Sequence, residues 1–130
     1  MTRQRFASVI RLLPEKEEEY RQLHAAAWPG VLLALSRAGI RNYSIFLRDG
    51  ILFSYLEYIG DDYERDMATI AQDDETKRWW TLTDPCQTPV DSAAEGEWWA
   101  PAEEVFHLDG SELSGPAPTE SGGLDSSVPQ

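Results

Sequence analysis

The chain has 130 residues, 42% of them hydrophobic, and a formal net charge of −12. That is the size of one domain able to bury a core without staples, and its acidic surface repels phosphate backbones and anionic lipid. Nucleic acid and membrane are therefore excluded as partners, and a neutral small molecule suits the charge balance best.

The single cysteine, Cys86, rules out an intramolecular disulfide and points to a reducing compartment. No apolar run approaches the roughly 20 residues of a membrane span. The opening Met1-Thr2-Arg3-Gln4-Arg5 lacks the apolar core of a secretory signal, so a cytoplasmic protein is expected.

In chain order, Phe6 to Leu13 alternates and predicts the first strand. Pro14 can open a helix whose positive end is faced by Glu15, Glu17, Glu18 and Glu19. Apolar positions at Tyr20, Leu23, Ala27, Val31, Ala34, Leu35 and Ala38 follow the helical period, and Gly39 stops it. Pro29 stands inside this pattern. Its ring clashes with the carbonyl of Ala25, so a break is predicted between Ala25 and Trp28.

Arg41 to Arg48 and Ile51 to Ile59 read as strands joined by the hairpin dipeptide Asp49-Gly50. Asp61 with Glu64 forms a capping box ahead of Tyr63, Met67 and Ile70. Asp73 or Asp74 caps another short helix bearing Trp79 and Trp80, ended by Pro85. Thr88 to Gly96 reads as a loop and Glu104 to Leu108 as the last strand. From Asp109 to Gln130, Gly, Ser and Pro supply 12 of 22 residues, with no Lys, Arg or aromatic residue. This stretch is expected to be a disordered acidic tail, leaving residues 1–108 as one folded domain.

Strand, helix, strand, strand, helix, strand suggests an α+β fold: a four-stranded antiparallel sheet with helices on one face. The hairpin strands are apolar on both sides: Tyr43, Ile45 and Leu47 lie on one face and Phe46 on the other, and Phe53 and Tyr55 alternate with Leu52, Leu56 and Tyr58. Helices cover one face only, so a homodimer packed sheet to sheet is expected.

Few residues offer chemistry. His24 stands four residues after Tyr20 and four before Trp28, on one stripe of an unbroken helix. That spacing fits a core histidine under a loop. Spacing alone favours that reading, but three things point to a proton-transfer residue: imidazole titrates near neutrality, two aromatics flank it, and the break at Pro29 opens space beside it. Trp79 and Trp80 point roughly 100° apart on a helix, so one can be core while the other lines a cleft. Trp faces also suit the C–H side of a sugar. Trp99 reads as buried, whereas Trp28 and Trp98 stay open between core and cleft. Tyr43 offers a phenol to a sugar hydroxyl or to sheet packing. Glu57, in an apolar strand, is either a masked acid or an edge residue facing solvent, and His107 reads as structural. Two histidines without ligand spacing argue against a metal site, and neither a phosphate loop nor a nucleophile elbow occurs.

These residues carry a resemblance. Over about residues 4 to 108 the sequence resembles the L-rhamnose mutarotase family, through Glu19-Tyr20 with His24, Trp28-Pro29, Asn42-Tyr43-Ser44-Ile45, Arg78-Trp79-Trp80, Thr83-Asp84 and Glu103-Glu104-Val105-Phe106-His107-Leu108. The order and spacing of these segments carry it, since no single motif is specific. The resemblance implies a ferredoxin-like βαββαβ chain that dimerises into an α/β barrel and interconverts the α and β anomers of L-rhamnose without a cofactor. By position, His24 resembles the family's proton donor, and Tyr20, Tyr43, Trp79 and Trp80 resemble its sugar-binding residues. Ala25-Ala26-Ala27 departs from the family, whose members often carry a polar residue or Pro there, so the exact sugar stays open.

On this reading His24 supplies the proton to the ring oxygen, Tyr20 orients it or relays a proton, Tyr43 bonds a hydroxyl, and Trp79 and Trp80 wall the sugar. Two rivals share the architecture: a haem-degrading or quinone-forming dimeric α/β-barrel monooxygenase, and a sugar-binding dimer without catalysis.

Overall fold

The computed structural model describes residues 3–110. Strand β1 (Gln4–Leu12) runs into a 3-10 turn at Pro14–Lys16 and helix α1 (Glu17–Ala25). Helix α2 (Pro29–Arg37) follows, then the hairpin β2 (Ile40–Arg48) and β3 (Ile51–Tyr58). Helices α3 (Tyr63–Gln72) and α4 (Asp74–Thr83) come next, then a 3-10 turn at Asp84–Cys86 and two short strands, β4 (Gln87–Thr88) and β5 (Ala100–Ala102).

The helical segment breaks where Pro29 requires it. Ala26 leaves helical geometry, Trp28 is extended, and Pro29 restarts the chain at the first position of α2, where its missing N–H is no loss. Gly39 ends α2 with φ +93°, a backbone that L side chains rarely adopt. Asp49 (φ 54°) and Gly50 (φ 75°) form the two-residue hairpin turn. One cap differs from the sequence reading, and one open choice is decided. The cap of α3 is Asp62, whose side chain accepts from the Arg65 N–H, rather than Asp61. Asp73 caps α4, accepting from Thr76 N–H at 2.9 Å and Thr76 Oγ1 at 2.8 Å.

The sheet is antiparallel, in the order β2-β3-β1-β4, with β5 also on β1. Both short strands use the outer edge of β1: Arg11 and Leu12 face β4, while Ala7, Ser8 and Val9 face β5. Together they fill the fourth strand position of a ferredoxin-like α+β fold, interrupted by residues 89–99. The last strand is thus Ala100–Ala102 and not Glu104–Leu108. Residues 103–108 have no regular structure and expose Val105 (89%) and Phe106 (70%). Backbone pairing with β1 stops at Ala102, and beyond it the Arg5 guanidinium holds Glu104, donating at 2.9 and 3.0 Å. The expected tail, 109–130, lies outside the described residues apart from Asp109 and Gly110.

Register assigns the faces. Phe6↔Leu56, Ser8↔Ser54 and Ile10↔Leu52 point to the helices. One buried cluster gathers Ile10, Leu12, Tyr20, Leu52 and Cys86, and a second gathers Ala38, Ile40, Tyr58 and Ile70. Between them the Ser8 and Ser54 hydroxyls bond each other at 2.7 Å, satisfying two polar groups inside the sheet. The opposite face carries Ala7, Val9, Phe53, Tyr55 and Phe46, with Phe46 directly across from Phe53. Among the described residues no helix packs there, and Phe46 and Phe53 are 61% and 43% exposed.

Candidate active site

The divided core leaves a cavity on the helix side of the sheet. It has two adjoining lobes of about 500 and 490 Å³, both lined by Tyr20, His24, Tyr43, Ile45, Val31, Leu35 and Trp79. That size suits a small ligand. Leu52 belongs to one lobe, and Trp80, Gln87 and Trp98 to the other.

His24 occupies the last turn of α1, just before the chain breaks. Its Nδ1 lies 2.9 Å from the backbone oxygen of Tyr20, one turn earlier. A carbonyl only accepts, so Nδ1 carries the hydrogen there and Nε2 is the ring nitrogen left for another partner. The ring is clasped by Tyr20 (centroids 4.2 Å, 33°) and by the edge of Trp79 (5.3 Å, 71°). Both contacts limit its rotation. The imidazole is therefore half-buried, oriented and open to a void.

The i, i+4 relation of Tyr20 and His24 survives in α1, whereas Trp28 has left the stripe. It lies in the break and packs edge-on against Trp79 (5.2 Å, 69°), supporting the wall without lining either lobe. Trp79 is buried (6%) and Trp80 is 39% exposed, yet both line the cavity. Trp99, read as buried, is half-buried: it packs against the first core cluster and also lines the second lobe.

Tyr43 reaches the cavity by a local device. Arg41 pairs with Glu57 and Ser44 with Tyr55, so Asn42 and Tyr43 together oppose Leu56 in a β-bulge. Asn42 adopts φ 51° and donates its Nδ2 hydrogen to Glu57 Oε1 at 2.8 Å. Burial raises the phenols of both Tyr43 and Tyr20 above their ordinary pKa, so both stay protonated donors.

Glu57 is not a masked acid. It accepts from Asn42, from Tyr55 (2.8 Å) and from Arg3 (2.6 Å), and these bonds hold its carboxyl down at about 2. It lines neither lobe and acts on the cavity only through the bulge. Arg21, in the first lobe, is ion-paired with Glu17 at 2.8 Å.

The sequence reading gave no role to Gln87 or Asp84, both of which line the second lobe. Gln87 is buried (6%); its Nε2 lies 3.2 Å from the Tyr20 hydroxyl, and its Oε1 lies 3.2 Å from Trp98 Nε1. Its only signal was a polar residue beside Cys86, and its partner is 67 positions away. Asp84, which also lines the second lobe, has a carboxyl raised by burial.

An aromatic-walled cavity with a held imidazole, two protonated phenols and a buried amide can bind a ring bearing several hydroxyls and exchange a proton with it. Comparison with known proteins points the same way. The model of the family described as L-rhamnose mutarotase matches residues 5–108. An L-rhamnose mutarotase of Burkholderia orbicola is 37% identical over 108 residues, covering 77% of this chain and 93% of the relative. One of Lactiplantibacillus plantarum is 36% identical over 107 residues, covering 81% and 98%. The crystal structure of an L-rhamnose mutarotase from Formosa agariphila superposes with a TM-score of 0.64 at 24% identity, over 82% of this chain and 99% of that one.

Proposed function

This chain belongs to the L-rhamnose mutarotase family, and from that premise we propose that it interconverts the anomers of L-rhamnose in the cavity beside His24. It is an isomerase acting on carbohydrate. The observation that carries the site assignment is the His24 ring, anchored through Nδ1 on the Tyr20 carbonyl at the wall of an aromatic cavity.

Mutarotation opens a hemiacetal and closes it on the other face of C1. The hydroxyl on C1 loses its proton, the bond from C1 to the ring oxygen breaks, and that oxygen gains a proton, giving the open aldehyde. Rotation about C1–C2 and the reverse steps give the other anomer. Both oxygens are bonded to C1, so one nitrogen can serve both. In this reading His24 Nε2 takes the proton from one oxygen and returns a proton to the other. No redox partner or other co-reactant is required. Tyr20 and Tyr43 bond sugar oxygens, and Trp79 and Trp80 wall the ring.

Anomer exchange of L-rhamnose, followed by saturation-transfer NMR, tests this. His24→Ala should slow exchange by roughly 10²–10⁴-fold, the worth of general acid–base help. If His24→Ala exchanges anomers as fast as the parent, the role given to His24 is wrong.

We further propose a homodimer closed through the open sheet face. Phe46, Phe53, Tyr55 and Val9 form an apolar surface that no helix among the described residues covers, and the exposed Val105 and Phe106 add to what a second copy would cover. A cytoplasmic setting agrees with the one cysteine, Cys86, being a buried free thiol.

A further inference from the structure

The most informative feature outside the histidine is the chain of hydrogen bonds from Trp98 through Gln87 to Tyr20. We propose that Gln87, locked by Trp98, is a positioning residue that makes the Tyr20 hydroxyl a hydrogen-bond donor aimed at the ring oxygen of the sugar. The proposal rests on the mutarotase reading.

The direction of every bond in the chain follows from what each group can do. An indole N–H only donates, so the Gln87 atom 3.2 Å from Trp98 Nε1 is the carbonyl oxygen. The other end of the amide is then Nε2, which only donates, and it lies 3.2 Å from the Tyr20 hydroxyl oxygen. Tyr20 accepts from the amide, so its own hydrogen must turn away from Gln87. Among the described residues that hydrogen meets no protein acceptor, and Tyr20 lines both lobes of the cavity. One side chain, Trp98, thus sets the polarity of a hydroxyl it does not touch.

A donor of fixed direction selects an acceptor. Every hydroxyl of a pyranose both donates and accepts, whereas the ring oxygen accepts only. It is also the oxygen on which electron density grows as its bond to C1 breaks, and a donor placed there in advance favours opening. His24 Nε2 remains free to carry the proton. Gln87 is buried and the chain spans three separate segments, so the arrangement is held by the fold rather than by the ligand.

The test uses the full chain and L-rhamnose, with exchange measured over a range of sugar concentrations and pH to separate kcat from KM. Gln87→Met removes both bonds; it should lower kcat by roughly 5–10-fold with KM within about twofold, the loss of one directed hydrogen bond. Gln87→Glu keeps the bond to Trp98. When ionised it accepts the Tyr20 hydrogen instead of donating to Tyr20, so kcat should fall further and recover on acidification, as the carboxyl regains a hydrogen to donate. Trp98→Phe leaves the half-exposed site folded but frees the amide to turn, and should lower kcat by roughly 3–10-fold. This third variant decides the matter if the buried Gln87 substitutions fail to fold.

A merely structural Gln87 would lower the melting temperature without a new pH dependence in kcat. If Trp98→Phe and the folded Gln87 variants keep kcat within about twofold of the parent at every pH, the proposal is overturned while the mutarotase reading stands. If the parent itself exchanges no anomers, that reading falls and the proposal falls with it.

Discussion

Three donors converge on the Glu57 carboxylate, and their effect on stability has a definite sign. The group is held at about 2 in the folded chain, against an ordinary value of 4.5. The folded state therefore releases its proton more readily than the unfolded one. The stabilising contribution is complete above about 4.5 and is lost as pH falls from there towards 2. Melting temperature measured against pH should show a gap between the parent and Glu57→Gln at neutral pH, narrowing as the solution is acidified through that window. A gap that stays constant would mean the network does not stabilise through charge. From sequence, Glu57 was only an acid in an apolar strand, because its donors Arg3 and Asn42 arrive through strand register. His24 was easier to find, since its neighbour Tyr20 lies one helical turn away in the same segment. Local spacing reveals such pairs; the contact between Gln87 and Tyr20 is made only by the finished fold.

The elements show the same division between local and distant causes. Asp49-Gly50 and Pro29 act on their own backbone, and both the hairpin and the helix break were legible. The bulge in β2 was not, because Arg41 to Arg48 alternates well enough to pass for a regular strand. Yet it decides where Tyr43 sits. Asn42 tolerates φ 51° better than most residues do, and its amide is tied to Glu57. Asn42→Gly should keep the bulge and exchange anomers within a few-fold of the parent. Asn42→Val, β-branched and strained at positive φ, should lose about 1–3 kcal/mol of stability and most of the contribution of Tyr43. Chemical denaturation and exchange kinetics on the two variants check this. The expectation of a strand at Glu104–Leu108 failed for a related reason. Periodicity shows which residues suit a strand, but not that the pairing with β1 is made by Ala100–Ala102 and stops there.

At the scale of the whole molecule, the open sheet face sets the expected assembly. Phe46 and Phe53 stand opposite each other in register, where a single charge cannot be buried without a large cost. Phe46→Asp should convert a dimer to a monomer in light scattering, and the parent's melting temperature should rise with protein concentration. A parent that is monomeric at all concentrations would remove the dimer from the description. The interrupted strand position has a different consequence. Residues 89–99 leave the sheet after β4 and return to it at β5, carrying Trp98 to the cavity on the way. Both ends of this excursion are tied to β1 by backbone pairing that ignores side-chain identity. The excursion can thus be exchanged as a cassette, giving evolution a way to retune which sugar is accepted without reopening the problem of how the domain folds.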